Sequence, residues 1–182
     1  DTYIEKDSQI NDTIDRMRHR ATTSLLTRDD VIIVASVSCI YGIGSSESYE
    51  NMTAYAEVGR DLRRQSFLRQ LVESQYVRND LDFSRGTFRV KGDIVDIFPP
   101  SEETLAVRIE FFGDTVERIC MVDPLLGTIS TELSRITIFP ASHYATSKEK
   151  LTQALEAIRQ ELGEELVRLK SAHKLLEAQR LE

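Results

Sequence analysis

The segment at residues 85–99 reads RGTFRVKGDIVDIFP, and its alternation of apolar and polar side chains limits what it can form. Alternation places Phe88 and Val90 on one face of a strand and Arg89 and Lys91 on the other. A Gly-Asp pair follows and suits a two-residue turn, after which a second apolar run returns. The segment therefore predicts a β-hairpin with one apolar face and one cationic, solvent-exposed face.

The surrounding sequence extends this hairpin into a small sheet. A second hairpin is predicted over residues 105–112 and 116–122, again with a Gly-Asp turn, and residues 135–139 form a further strand closed by a proline. Residues 61–76 predict a helix. Its predicted inward side chains are Leu62, Phe67, Leu68, Leu71 and Val72. One helix against an antiparallel sheet predicts an α+β domain of about 90 residues, a size that can fold independently.

The flanking sequence has a different pattern. Residues 31–37 read VIIVASV, a β-branched run typical of a parallel strand buried on both faces. Before it, Ile10, Ile14, Met17 and Ala21 recur at helical spacing. After the sheet, leucines at three- and four-residue spacing over residues 151–169 predict a long amphipathic helix, interrupted at residues 171–173. The expected organisation is an α+β domain at 51–141, inserted between α/β segments at 1–50 and a helical segment at 142–182.

Composition narrows the class of protein. The net charge of the 182 residues is −7, so the whole-chain field does not favour a phosphate backbone. No apolar run approaches the ~20 residues of a membrane span, and the first residues are polar. Cys39 and Cys120 both lie in apolar runs, which suits a reduced compartment better than a disulfide framework. The expected location is the cytoplasm, with no membrane partner.

No cofactor site is predicted in this chain. There is no GxxxxGK[ST] loop and no acidic Asp-Glu box, and Gly42 and Gly44 lack the third glycine and the acid of a dinucleotide site. His19, His143 and His173 are far apart and none has a cysteine at ligand spacing, so no metal site is predicted. His143 is interpreted as a packed linker histidine rather than a catalytic one. No nucleophile, base and orienting group occur together, so no enzyme activity is expected of these residues.

Charged residues on the predicted hairpins form the first candidate site. We predict that an acidic partner docks here. The candidate contacts are four cations and one carboxylate, at Arg78, Arg89, Lys91, Arg108 and Glu110. The alternative is that this face is only solvated.

A second candidate site would bind DNA. An aromatic ring, cations and hydroxyls near the predicted strand could stack on bases and contact phosphates. Its residues are Tyr3, Lys6, Arg18, Ser36 and Ser38. The alternative is an exposed helix face with turn-forming serines.

Several segments, in one order along the chain, resemble the UvrB family of bacterial nucleotide excision repair. They are DTYIEKD, VIIVASVSCIYGIG, QYVRND, RGTFRV, RIEFFGD, IFPASHY and KLLEAQRLE. The transcription-repair coupling factor carries a similar inserted domain, but DTYIEKD and VIIVASVSCIYGIG favour the UvrB family. The resemblance therefore covers essentially the whole chain.

The resemblance implies parts of a first helicase domain flanking an inserted domain that binds UvrA. Within it, Arg78, Arg89, Lys91, Arg108 and Glu110 are expected to contact UvrA. Damaged DNA is an expected partner, and the exit of the family's DNA hairpin, around Tyr3 to Lys6, is expected within this chain. UvrC, ATP and magnesium are an expected partner and cofactors of the parent protein, through parts that we expect to lie outside this chain. Lys91 stands where the family pattern leads us to expect arginine, which weakens bidentate pairing there.

Overall fold

The computed structural model describes residues 11–40, 46–144 and 148–182. The chain divides into two compact units, Asp1–Ala145 and Thr146–Glu182. Within these ranges the side chains of a few residues, Ser38 among them, are not described. Ile10, counted in the first predicted helix, lies outside the described residues.

The first unit begins with helical elements and continues into strands. Its elements in chain order are α1 (Asp12–Thr27), a 3-10 helix (Val37–Ile40), α2 (Ser46–Asn51), β1 (Ala54–Glu57), α3 (Arg64–Glu73), β2 (Val77–Arg78), β3 (Thr87–Lys91), β4 (Ile94–Ile97), β5 (Ala106–Phe112), β6 (Thr115–Val122), β7 (Ile129–Leu133) and β8 (Arg135–Ile138). The second unit holds α4 (Lys148–Ser171) and α5 (Leu175–Leu181).

A six-stranded sheet in the order β2-β3-β4-β5-β6-β7 forms the centre of the first unit. Both predicted hairpins are confirmed, and Gly92 and Gly113 adopt φ of 61° and 62° in their two-residue turns. Only glycine takes this left-handed conformation without steric cost, so these two residues determine where the hairpins turn. The strands pair antiparallel except β2, which runs parallel to β3 over two residues. A separate antiparallel ribbon joins β1 to β8.

The main hydrophobic core lies between α3 and one face of the sheet, and a smaller buried cluster of Phe98, Ala106, Cys120 and Val122 lies on the other face. Phe67 and Leu71 of α3 are fully buried and pack with sheet residues such as Val95 and Ile109. Every buried member of this cluster lies between Ala54 and Ile138. The predicted α+β class, one helix on an antiparallel sheet, is confirmed.

The helix α3 differs in detail from the prediction. It begins at Arg64 rather than at residue 61, and Val72, predicted to point inward, is more than half exposed. Apolar spacing alone places Val72 on the buried stripe beside Leu71. In the structure Val72 instead lines an open groove with Arg78 of the edge strand β2, so the sheet does not cover it.

The prediction of a buried strand over residues 31–37 is wrong for this chain. Residues 31–36 form no strand, and Ile32 and Val34 are 93% and 95% exposed. A strand buried on both faces needs a neighbour on each side and a layer above and below it. Within the described residues no strand pairs with this segment.

The first helix forms as predicted, but a different face of it is buried. Ile14 and Met17 are more than half exposed, whereas His19 is buried. Arg16 pairs with Glu103 at 3.1 Å, and Asp12 pairs with Arg85 at 3.4 Å. The contacts of α1 with the rest of its unit thus include the buried His19 and two partly exposed salt bridges, which the apolar spacing did not indicate.

In the second unit, the predicted long helix and its interruption are both confirmed. His173 adopts φ of 56°, and the Lys174 N–H donates to the Leu169 carbonyl at 2.9 Å, closing α4 before α5 begins. Among the described side chains of this helical pair, Leu169 and Ala178 are the buried ones. Among the described helices none is both long and apolar enough to cross a membrane.

We predict that residues 51–144, expressed alone, fold cooperatively. The core cluster between Ala54 and Ile138 is complete without the flanks, so burial does not depend on them. Urea denaturation followed by circular dichroism and by tyrosine fluorescence should give one coincident transition. A broad transition without a native-state baseline would show that the flanking segments supply part of the core.

Candidate protein-docking face

One face of the six-stranded sheet carries the charged residues that the sequence singled out. The register places Arg89 opposite Asp96, and Asp96 opposite Arg108. Residues directly opposite each other in antiparallel strands lie on the same face. Lys91 and Glu110 flank Ile94 in the next row on that face. Four of the five candidate residues therefore lie on one face of the sheet.

Asp96 is the centre of this face and is only 2% exposed. Arg89 donates from Nε to its Oδ2 at 2.9 Å. Arg108 donates from Nε to Oδ1 at 2.7 Å and from Nη2 to Oδ2 at 3.0 Å. Burial favours the protonated acid, but hydrogen bonds from Arg108 and Arg89 outweigh it and lower the pKa of Asp96. The carboxylate is therefore ionised and holds two guanidinium groups.

The expectation that Arg89 is a solvated cation is wrong. Its side chain is 16% exposed, because it pairs with Asp96 and because its guanidinium lies 4.3 Å from the centre of the Phe83 ring. The sequence pattern did not indicate this pairing, because an acid close to a turn, as Asp96 is, usually caps the turn or faces solvent. Within the described part of the chain, the terminal nitrogens of Arg89 make no hydrogen bond. They remain able to donate to a partner.

Lys91 and Glu110 complete the face. Lys91 is exposed and Glu110 is half-buried, and neither forms an ion pair with another described residue. Arg118 lies opposite Glu110 but is paired instead with Glu132. Two fixed arginines thus lie beside one exposed ammonium and one half-buried carboxylate.

Arg78 does not belong to this face. It pairs in register with Phe88, whose ring lies in the core, so its side chain leaves the sheet on the α3 side. There it lines a groove with Leu68 and Val72 and forms a salt bridge with Asp80 at 3.1 Å. The sequence analysis grouped Arg78 with the hairpin cations because it closely precedes them. The parallel pairing of β2 with β3 instead places the Arg78 side chain on the core face of the sheet.

The candidate DNA-binding residues are only partly described. Tyr3 and Lys6 lie outside the described residues, and Ser38 is described only as backbone of the 3-10 helix. Arg18 donates from Nη2 to the Cys39 carbonyl at 3.3 Å, and the Ser36 carbonyl accepts from the Cys39 N–H. The structure therefore brings Arg18 and Ser36 to the same short segment.

Two histidines that the sequence treated as distant are in contact. The rings of His19 and His143 stack with centroids 3.9 Å apart, and Thr22 Oγ1 lies 3.0 Å from His143 Nε2. Asp15 Oδ2 lies 3.7 Å from His19 Nε2. Burial, with nearby positive charge, lowers the pKa of His19 to about 3, and burial also lowers the pKa of His143. Both rings are neutral at neutral pH.

Comparison with known proteins identifies the domain that contains this sheet. Residues 55–144 match the family model described as the UvrB interaction domain. Over all 182 residues the chain is 56% identical to the UvrABC system protein B of Staphylococcus epidermidis and to that of Staphylococcus aureus. It spans 28% of the length of these relatives. The chain belongs to the UvrB family.

We predict that acid destabilises the chain through the histidine pair. The folded state holds His19 neutral, whereas the unfolded state binds a proton below the ordinary histidine pKa of 6.5, so stability is present above that pH and is lost as pH falls toward 3. Between pH 7 and 5.5 the free energy of unfolding should fall by about 1 kcal/mol for His19 alone. Urea titrations at each pH measure it. His19→Gln should flatten this dependence, whereas the matched change at exposed His173, His173→Asn, should leave it as it is.

Proposed function

We propose that this chain docks to UvrA through one face of its six-stranded sheet, as the interaction domain of a UvrB-type nucleotide excision repair protein. The docking face comprises Arg89, Lys91, Asp96, Arg108 and Glu110. The observation that carries the proposal is the buried Asp96 carboxylate, which fixes two partly exposed arginines side by side on one face of the sheet. The family match over residues 55–144 supports the choice of partner.

Fixing the arginines before binding is what makes this face suitable for recognition. A free arginine loses side-chain entropy when a partner immobilises it, at about 0.5–1.5 kcal/mol per side chain. Here Arg89 and Arg108 are already held by Asp96, so that cost falls on folding rather than on docking. Guanidinium groups pair with carboxylates through parallel hydrogen bonds, so acidic groups on UvrA are the expected contacts.

The free charges would set the orientation of the partner. Lys91 is available to a carboxylate, and Glu110 is available to a cation. A partner surface carrying both signs would match the two only in one orientation. Arg78 lies on the other side of the edge strand, so a partner that contacts Arg78 and Lys91 together must wrap around the β2–β3 edge.

The remaining functions belong to the whole protein. ATP-dependent verification of lesions on damaged DNA, and contact with UvrC, are proposed for the parent, with ATP and magnesium as its cofactors. The 182 residues contain no GxxxxGK[ST] loop, so we expect no ATP turnover from them. Arg18 and Ser36 could add a weak, non-specific DNA contact at their shared segment.

We predict that Lys91→Glu weakens binding to purified UvrA about tenfold or more, chiefly by slowing association, because it reverses an exposed, unpaired charge. The matched control is Arg63→Glu. It makes the same charge change in the same domain, at the exposed start of α3 on the opposite face of the sheet. Surface plasmon resonance at several salt concentrations measures both variants, and Lys91→Arg should bind at least as well as the unchanged chain.

Equal loss in Lys91→Glu and Arg63→Glu would show that only net charge matters, and no loss in either would remove the docking face. Fluorescence anisotropy with labelled DNA tests the alternative, which is that this face binds nucleic acid. If Lys91→Glu weakens DNA binding but not UvrA binding, the face contacts nucleic acid.

We predict that Arg89→Glu destabilises the fold by about 2–4 kcal/mol, because it places a second carboxylate against buried Asp96 and removes its hydrogen bond. Lys91→Glu should change stability by no more than about 0.5 kcal/mol. Urea denaturation of both variants tests this. If Arg89→Glu were as stable as Lys91→Glu, the ion pair with Asp96 would not form in solution.

A further inference from the structure

The contact between His19 and His143 brings three metal-ligand side chains together. Asp15 and His19 are one helical turn apart on α1 and so share a face of that helix. His143 follows β8 and meets the same face. One ligand atom from each of the three lies within 4.8 Å of the others.

An unsatisfied nitrogen at this cluster marks it as more than packing. His19 is 2% exposed, and its Nδ1 is the one buried side-chain atom of the described residues that has no hydrogen-bond partner. A buried polar atom left unpaired costs about 1–3 kcal/mol. Asp15 Oδ2 lies 3.7 Å from the other ring nitrogen, Nε2, so an ion held with Asp15 would pair with Nδ1 only if the His19 ring turned over.

We propose that Asp15, His19 and His143 bind a divalent transition metal, with Zn²⁺ as the favoured ion. Two imidazoles and one carboxylate suit zinc, whereas magnesium and calcium prefer oxygen ligands alone. Neutral imidazoles are the form that binds metal. Three protein ligands leave a fourth coordination position for water.

Metal binding would change the arrangement of the two rings. They now stack at an interplanar angle of 29°, but the lone pair of an imidazole nitrogen lies in the ring plane. Binding one ion therefore turns both rings so that their edges converge. The Thr22 hydroxyl, 3.0 Å from His143 Nε2, is placed to orient that ring.

The metal would join a helix that precedes the interaction domain to the last residues of that domain. Asp15 and His19 precede β1, and His143 follows β8, so one ion would tie α1 to the chain leaving the sheet. This role does not depend on UvrA binding, because none of the three residues lies on the docking face.

The experiment uses the 182-residue chain after treatment with a chelator. Isothermal titration with Zn²⁺ alone should give one site per chain, and Co²⁺ in its place should give visible absorption of a site with nitrogen and oxygen ligands. The melting temperature should rise with Zn²⁺ concentration, and Mg²⁺ should produce none of these effects.

Variants assign the ligands. His19→Gln and Asp15→Asn should each weaken zinc binding at least tenfold, and Asp15→Asn keeps the fold testable because Asp15 is 39% exposed. His173→Asn and Cys39→Ser should bind zinc as the unchanged chain does. Absence of one-to-one zinc binding, or equal binding by Asp15→Asn and the unchanged chain, would overturn the proposal.

Discussion

Side-chain alternation across the six-stranded sheet is the constraint on which the rest of the first unit depends. Val95 faces the core and Asp96 faces away from it, and the same division holds for Ile109 and Arg108. A shift of one residue in the register would bury two arginines under α3 and expose the core. The apolar face and the charged face therefore stabilise the same pairing of strands, one by burial and the other by hydrogen bonds.

Asp96 shows how a charged group can be both structural and functional. Its carboxylate is buried, yet it accepts three hydrogen bonds from two arginines, so its charge is compensated. Buried ion pairs of this kind add little net stability, but they fix geometry, and removing one partner is costly. The guanidinium groups of Arg89 and Arg108 thereby become part of a rigid surface, and Lys91 remains adaptable beside them.

The sequence predicted the sheet well because its determinants are local. Glycines with positive φ fix both hairpin turns, and alternation assigns the faces, so Arg89, Lys91, Arg108 and Glu110 could be grouped without a structure. The pairing of Arg89 with Asp96 was missed, because it depends on which strands are neighbours. Arg78 was misplaced for the same reason, since β2 joins the edge in parallel.

Contacts between distant segments were also beyond sequence reasoning. His19 and His143 come together because α1 packs near the exit of β8, and nothing in their spacing indicates it. The apolar run at residues 31–37 failed as a prediction for a related reason. A run of β-branched residues specifies a strand only when other strands lie beside it, and in the described residues none does.

The ribbon of β1 and β8 has a consequence for how such a domain can be gained by another protein. Ala54 pairs with Ile138, so the first and last strands of the interaction domain begin and end next to each other. An inserted module with adjacent ends replaces a short surface loop of its host and leaves the order of the host's own elements unchanged. The conformational entropy that the host loses in closing this connection stays that of a short loop. It does not depend on the number of residues between the two strands, because the pairing of β1 with β8 already holds the ends together. The architecture is thus transferable as one genetic segment, and its size can vary without altering the protein that carries it.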